Sequence, residues 1–490
     1  MFPQTNPSPA LIFFFALICA TTLPLLQAAT KSPDQVIELF RHGARTPLFD
    51  YELPSWVNFK RGQLTTAGML QHYNLGKAIA AKYPHLVEPG YNPDEILMLA
   101  NTAQRTIDSA MSQLSGMFRG KTSTLQEFPQ KDLQDKIVKK IAPLLPPEEA
   151  NRGEFVPVKV DIVSGLDQEL IFNGRNHKWC PRISDLHSEN ALSAAIQNGW
   201  NAFQESVKQA NTHLTTTPKI TSMHVLNCAY DVFIASVFDN KTLPDGINDP
   251  KLLEGLNYAQ AYYQYVLEQN QIIQKGLTSF PTLRAIAEQM TNFREGKTPK
   301  KLALLSGHDM NIYAVLSSFG IISTDCFLAN YNDHMQDKNL SFPNCQFPKF
   351  AANLIFELYN DTANPYVKFY YNDILIPLCG GQETCPYQEF VAFLHNAGGN
   401  HTLESWNIGC KSKLFFVFNY LLLIEIESSQ YLQWLIFGSI ILIVTIGFTF
   451  LFKSLKKNKW NLFKVFQKDE YLLQNDDHLE VNISMTKKTW

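Results

Sequence analysis

The sequence predicts an α/β fold: a mixed, mostly parallel sheet with helices on both faces, interrupted by an inserted, mostly helical domain. Three observations predict it. Apolar runs of strand length at residues 36–40 and 302–305 each lead into a polar, histidine-bearing segment. Strand-like and helix-like stretches alternate between residues 36 and 118. From about residue 125 the chain becomes lysine-rich and proline-punctuated, then runs into long helical stretches.

Val36-Ile37-Glu38-Leu39-Phe40 reads as a buried strand that ends in Arg41-His42-Gly43-Ala44-Arg45-Thr46-Pro47. Strand ends in open α/β sheets are where ligands dock, and Gly43 lets the backbone approach one closely. Two arginines beside a histidine concentrate positive charge, and planar guanidinium forks suit phosphate or carboxylate. Residues 63–83 have the spacing of a following helix, in which His72 reads as a packing residue. Residues 95–100 are the next strand, and 104–118 a helix with Arg105 in its first turn. Such an order implies parallel strands joined by right-handed crossovers. Helices are expected at 185–212 and 251–275. Residues 301–305 return to the sheet and lead into Ser306-Gly307-His308-Asp309. Residues 351–359 and 366–371 read as an antiparallel pair joined at Asn360-Asp361.

The ends of the chain have their own patterns. Apolar runs at 11–20 and 23–26, followed by Ala28-Ala29, form a secretory signal pattern over residues 1–29. Residues 431–452 carry no charge and are long enough to span a bilayer. Lys453, Lys456, Lys457 and Lys459 follow, which places the tail 453–490 in the cytosol and makes this a single-pass type I membrane protein. Residues 411–430 form a juxtamembrane segment whose apolar run, 414–424, is too short to span. That run is either an interfacial segment or retained non-coding sequence. Asp469-Glu470-Tyr471-Leu472-Leu473 resembles sorting signals read by adaptor proteins, which sets endosomal or lysosomal routing beside the cell surface.

A formal charge of −3 gives no sign of nucleic acid as a partner. The lumenal part is about 400 residues, enough for one large domain and a smaller companion. One of the eight cysteines, Cys19, falls in the signal; the others lie in an oxidising compartment that favours disulfides. No close Cys-x-x-Cys or His-x-x-x-His pair supports a metal site. Sequons at Asn240, Asn339, Asn360 and Asn400 would carry glycans, while the one at Asn482 would stay bare in the tail.

Arg41-His42-Gly43-Ala44-Arg45-Thr46-Pro47 and His308-Asp309 resemble the two motifs of the histidine acid phosphatases. These form branch 2 of the histidine phosphatase superfamily, with lysosomal and prostatic types and phytases among them. Gly62-Gln63-Leu64-Thr65, Gln71-His72-Tyr73, Arg105-Thr106 and Cys180-Pro181-Arg182 are similar to the family too, so the likeness covers residues 34 to 410.

The resemblance implies a phosphatase core of 30–124 and 296–410, with 125–295 as a cap over the active site. It implies that His42 is a nucleophile forming a phosphohistidine and that Asp309 is the proton donor. Arg41, Arg45, Arg105 and His308 would hold the phosphate of a small phosphate monoester. No metal or cofactor is needed, since guanidiniums supply the positive charge. The resemblance also implies disulfides Cys180–Cys410, Cys228–Cys345 and Cys379–Cys385, with Cys326 competing with Cys345 for Cys228, and a homodimer. An acid optimum follows from charge: guanidiniums disfavour protonation of His42, while acid keeps the proton on Asp309. A catalytically silent receptor or adhesion ectodomain on the same fold is the alternative, with a phytase-like specialist as a variant of the enzyme. A phosphatase assay separates the enzyme from the silent ectodomain.

Overall fold

The computed structural model describes residues 31–412 apart from 57, 151, 175, 177 and 271. The expected signal 1–29, the expected span 431–452 and the expected tail 453–490 lie outside the described residues. Among the described residues no helix is long and apolar enough to cross a membrane.

β1 (Gln35–Arg41) is buried along its whole length, with apolar side chains on both faces and cover on both. Val36 and Phe40 pack with α1 (Thr66–Lys82) and α2 (Gln104–Met117) on one side of the sheet. Ile37 and Leu39 enter the larger core formed with the helices of the insertion. α1 starts after Thr65, whose side chain accepts from the Gly68 amide as an N-cap. The two helices cross at their glycines. A Cβ on Gly76 would lie 2.0 Å from the Gln113 carbonyl oxygen, and one on Gly116 2.0 Å from that of Tyr73.

β2 (Ile96–Ala100), β3 (Asp161–Ile162) and β4 (Leu302–Gly307) complete the parallel half of the sheet. β5 (Asn353–Tyr359), β6 (Tyr366–Tyr371), β7 (Ile374–Leu375) and β8 (Cys385–Pro386) form the antiparallel half. The order is β3-β2-β4-β1-β5-β6-β7, with β8 also on β6. β1 is therefore the seam, parallel to β4 and antiparallel to β5. Its register with β4 sets Arg41 beside Gly307, and the His42 amide donates to the Gly307 carbonyl at 3.0 Å. Two motifs far apart in sequence thus leave the sheet side by side.

Residues 125–295 supply β3 and helices that include Lys131–Ile141, α3 (Met223–Phe238), α4 (Pro250–Gln269) and α5 (Ile272–Arg294). The continuous helix expected over 185–212 is instead three: Pro181–Ala191, Ala194–Ala202 and Gln204–His213. The first break falls at Ser193, whose backbone is extended and whose hydroxyl donates to the Asn190 carbonyl at 2.6 Å, in competition with the helix ladder.

Disulfides join Cys180 to Cys410 and Cys379 to Cys385. The pairing Cys228–Cys345 is not formed; Cys345 bonds Cys326 instead. Cys326 lies in the first turn of a helix, Thr324–Met335, whose Asn330 amide donates to the carbonyls of Phe342 and Cys345 and folds the following loop back over it. That local closure brings the two sulfurs together. Cys228 stays on α3, its sulfur 3.8 Å from His224 Nε2.

Candidate active site

The segment after β1 is fixed from several sides. A Cβ on Gly43 would meet the Gly68 carbonyl oxygen at 2.3 Å, so glycine is what lets the N-terminus of α1 pack this closely. The Gly43 amide donates to Ser109 Oγ at 3.1 Å, and the Ala44 amide to Gln71 Oε1 at 2.8 Å. The Arg41 carbonyl faces His72 Nε2 at 3.1 Å, so His72 is a buried hydrogen-bonding residue as well as a packing one.

Within this frame His42 is 2% exposed. Its Nδ1 lies 2.8 Å from the carbonyl oxygen of Gly43. A carbonyl only accepts, so Nδ1 carries the hydrogen and Nε2 holds the lone pair of the neutral ring. Burial, then the charges of Arg105, Arg41, His308 and Arg45, hold the ring's pKa well below 6.5. A neutral imidazole with one directed lone pair is a nucleophile.

Arg41 ends β1 and is buried; one terminal nitrogen donates to the Pro348 carbonyl at 2.6 Å, the other pairs with Asp309 at 2.8 Å. Its guanidinium carbon stands 4.3 Å from the centre of the Phe350 ring, a cation–π contact. Arg45 pairs with Asp231 of α3 at 2.8 Å. Arg41 Nε and Arg45 Nε are buried and have no acceptor among the described residues, so each keeps a donor to offer.

Arg105, in the first turn of α2, reaches His308 Nδ1 at 3.4 Å. His308 caps α6 (Asp309–Ser318), and its ring stands edge-on to His42 with centroids 5.5 Å apart. Asp309 is the first residue of α6, its Oδ1 accepting the Met310 amide at 2.8 Å. The structure therefore brings His42, Asp309, Arg41, Arg45, Arg105 and His308 together at the carboxyl edge of the sheet. The arrangement is a buried neutral imidazole ringed by cationic donors, with an acid at its margin, which suits an oxyanion.

The sequence does not single out Asp231, yet this residue holds Arg45 and also accepts the Leu48 amide at 2.8 Å. One signal exists: it is the only Asp, Glu, Lys or Arg in α3, a mostly apolar helix. Phe350 and Pro348 come from an irregular loop with no such signal.

A sequence profile of the histidine phosphatase superfamily (branch 2) matches residues 34–372. Bovine prostatic acid phosphatase is 24% identical over 418 residues, which cover 80% of this chain and 92% of the relative. Rat lysosomal acid phosphatase is 24% identical over 404 residues, 78% of this chain and 81% of the relative. Among solved structures, the phytase of Klebsiella sp ASR1 gives a TM-score of 0.52 at 14% identity, over 75% of this chain and 96% of that one. The apo phytase of Hafnia alvei gives 0.51 at 15%, over 76% and 98%. Those two likenesses speak for the fold alone. The profile spans most of the chain and takes in every residue of the cluster around His42, and on that ground the chain belongs to the histidine phosphatase superfamily, branch 2.

Proposed function

We propose that this chain is an acid phosphatase that hydrolyses phosphate monoesters through a phosphohistidine at His42. The observation that carries the reading is the state of that ring: Nδ1 tied to the Gly43 carbonyl, Nε2 bearing the lone pair, and protonation opposed by burial and three guanidiniums. In the first step Nε2 attacks phosphorus in line, the bond to the ester oxygen breaks, and Asp309 gives its proton to the departing alcohol. In the second, water attacks the phosphohistidine and gives a proton to Asp309, releasing phosphate and the free imidazole. Arg41, Arg45, Arg105 and His308 bind the phosphate oxygens. Arg41 exchanges its bond to Asp309 for one to the substrate, which frees the carboxyl to face the leaving oxygen. The acid phosphatases among the relatives support the same reaction class.

The same reading places the enzyme in a lumen or outside the cell on a single-pass anchor, with a signal at 1–29, a span at 431–452 and a tail open to adaptors. The three disulfides suit an oxidising compartment, and the rat lysosomal relative supports an acidic one. Asn240, Asn339 and Asn400 are exposed and Asn360 is half-buried, so glycans have open access to the first three.

His42→Ala should abolish turnover at acid pH while leaving the melting temperature nearly unchanged, and chelators should not affect the parent activity. Rapid quenching with labelled substrate should trap an acid-labile, base-stable phosphoramidate. Near-normal hydrolysis by His42→Ala, or phosphate trapped on serine, rejects the mechanism. A parent chain without phosphatase activity favours the silent ectodomain.

A further inference from the structure

Beneath the nucleophile runs a buried chain of polar side chains. His72 Nε2 is 3.1 Å from the Arg41 carbonyl, and His72 Nδ1 is 3.2 Å from Gln113 Oε1. Gln113 Nε2 is 2.6 Å from Glu38 Oε2, and Asn353 Nδ2 donates to Glu38 Oε1 at 2.6 Å. His72, Gln113 and Glu38 are each 0% exposed. The mechanism above makes no use of a carboxyl group in the middle of the central strand, where burying one is costly.

We propose that His72 is a positioning residue for His42, anchoring the Arg41 carbonyl through Nε2–H, and that Glu38 and Gln113 keep that hydrogen in place by sharing one proton with the ring. The hydrogen-bond logic allows two arrangements. With the Gln113 oxygen toward Nδ1, both ring nitrogens donate, so His72 is cationic and Glu38 a carboxylate. With the amide turned over, its NH2 donates to Nδ1 and Glu38 gives its carboxyl hydrogen to the amide oxygen, so both groups are neutral. Each arrangement holds a single titratable proton, and each leaves Nε2–H on the Arg41 carbonyl. Without that proton, the carboxylate claims the amide NH2 and the amide oxygen faces Nδ1. The one remaining ring hydrogen can then serve the amide or Arg41, but not both.

Burial selects the neutral arrangement, because an imidazolium and a carboxylate held apart by an amide would both be desolvated. It is the largest influence on each group, pushing Glu38 up to about 7 and His72 down to about 4. The groups facing the pair are Asn353 of β5, Gln113 of α2, Lys82 at the end of α1 and Asp373 beyond β6. Tyr83, bonded to Glu357, faces Glu38 as well, and the Phe40 ring packs on His72.

The proton count makes this testable without turnover. Unfolded, Glu38 ionises near 4.5 and His72 near 6.5. Between those values the unfolded pair holds one proton on histidine, and the folded pair holds one on glutamate. The parent chain therefore gains no pH dependence of stability from the pair in that window. Glu38→Gln imitates the carboxylic acid and leaves a neutral buried His72, whose depressed pKa makes stability fall as pH drops from 6.5 toward about 4. His72→Gln leaves Glu38, whose raised pKa makes stability fall as pH rises from 4.5 toward about 7.

Melting temperatures of the parent and both variants, measured across that pH range, should give difference curves of opposite slope. A flat curve for either variant, or two of the same sign, overturns the shared proton. The positioning role rests on His42 as the proposed nucleophile and is read from turnover. His72→Phe should lower kcat on the order of 10²-fold, with KM and inhibition by inorganic phosphate within about twofold of the parent. His72→Gln, which keeps a donor for Arg41, should recover most of that kcat. An unchanged kcat in His72→Phe, or equal losses in kcat and phosphate binding, overturns the positioning role. A parent without phosphatase activity rejects the proposed function, while the difference curves still test the shared proton.

Discussion

Arg41 and Arg45 each meet a carboxylate at 2.8 Å, yet the two pairs are built differently. Asp309 stands at the start of α6, next in the fold to the end of β1, and its side chain is 22% exposed. Asp231 comes from α3, in the insertion, with a side chain 10% exposed; its second oxygen accepts the Leu48 amide at 2.8 Å. A carboxyl at the margin can trade its cation for a substrate and move a proton. One sunk among backbone donors cannot let go without leaving a buried cation behind. Equal distances therefore hide unequal jobs. In the proposed mechanism Asp309 is exchangeable, whereas Asp231 is a brace that also stitches the insertion to the segment after β1.

The largest effect that tests this contrast is expected from Asp309→Asn. Losing a general acid costs roughly 10² to 10⁴ in rate, and most when the leaving oxygen is strongly basic. Alkyl phosphates should slow by such factors and aryl esters of acidic phenols much less, in rates measured across leaving groups of graded basicity. A uniform factor for every ester would make Asp309 a second brace and end the distinction. Asp231→Asn should instead slow both ester classes alike, by about 10²-fold if Arg45 is displaced by an ångström. It should also cost about 3 kcal/mol of stability, read from denaturant midpoints, since a buried guanidinium loses its counter-charge. A leaving-group dependence in Asp231→Asn would mean that this residue reaches the proton transfer.

The smallest effect concerns the third guanidinium of the cluster, that of Arg105. Arg105 is the foremost charge opposing protonation of His42. Removing it in Arg105→Gln favours the imidazolium, raises the ring's pKa and moves the acid limb of kcat/KM to higher pH. A limb that stays in place would show that Arg105 has no part in keeping His42 neutral.

Much of the site is legible in the sequence because its signals are contiguous. The stretch from Arg41 to Pro47 and the pair His308-Asp309 each follow an apolar run, and pairing those two runs is all that the register of β1 on β4 requires. Thr65, within a segment that the resemblance already marks, caps α1 by local geometry alone. What is illegible depends on contacts between distant segments. Asp231 matters because α3 crosses over Arg45, and Cys326 finds Cys345 because Asn330 folds a loop back. β3 is only two residues long, too short for any period to register. The polar work of His72 depends on Gln113 and Glu38, one from the next helix and one from a strand that otherwise looks apolar.

The seam position of β1 also sets the order in which the molecule can be made. β5 and β6 pair across a short connection, but Gln35 is hydrogen-bonded to Lys300, 265 positions further on, and β1 can join β4 only after the whole insertion has emerged. Closing so long a loop is slow, and contacts of that separation form late in folding. A nascent chain halted before β4 would present Arg41 and His42 with neither His308 nor Asp309 to complete them. The cluster around His42 is thus assembled only once residues 125–295 have been made, so hydrolysis during biosynthesis would report that β1 has closed on β4 across the whole insertion.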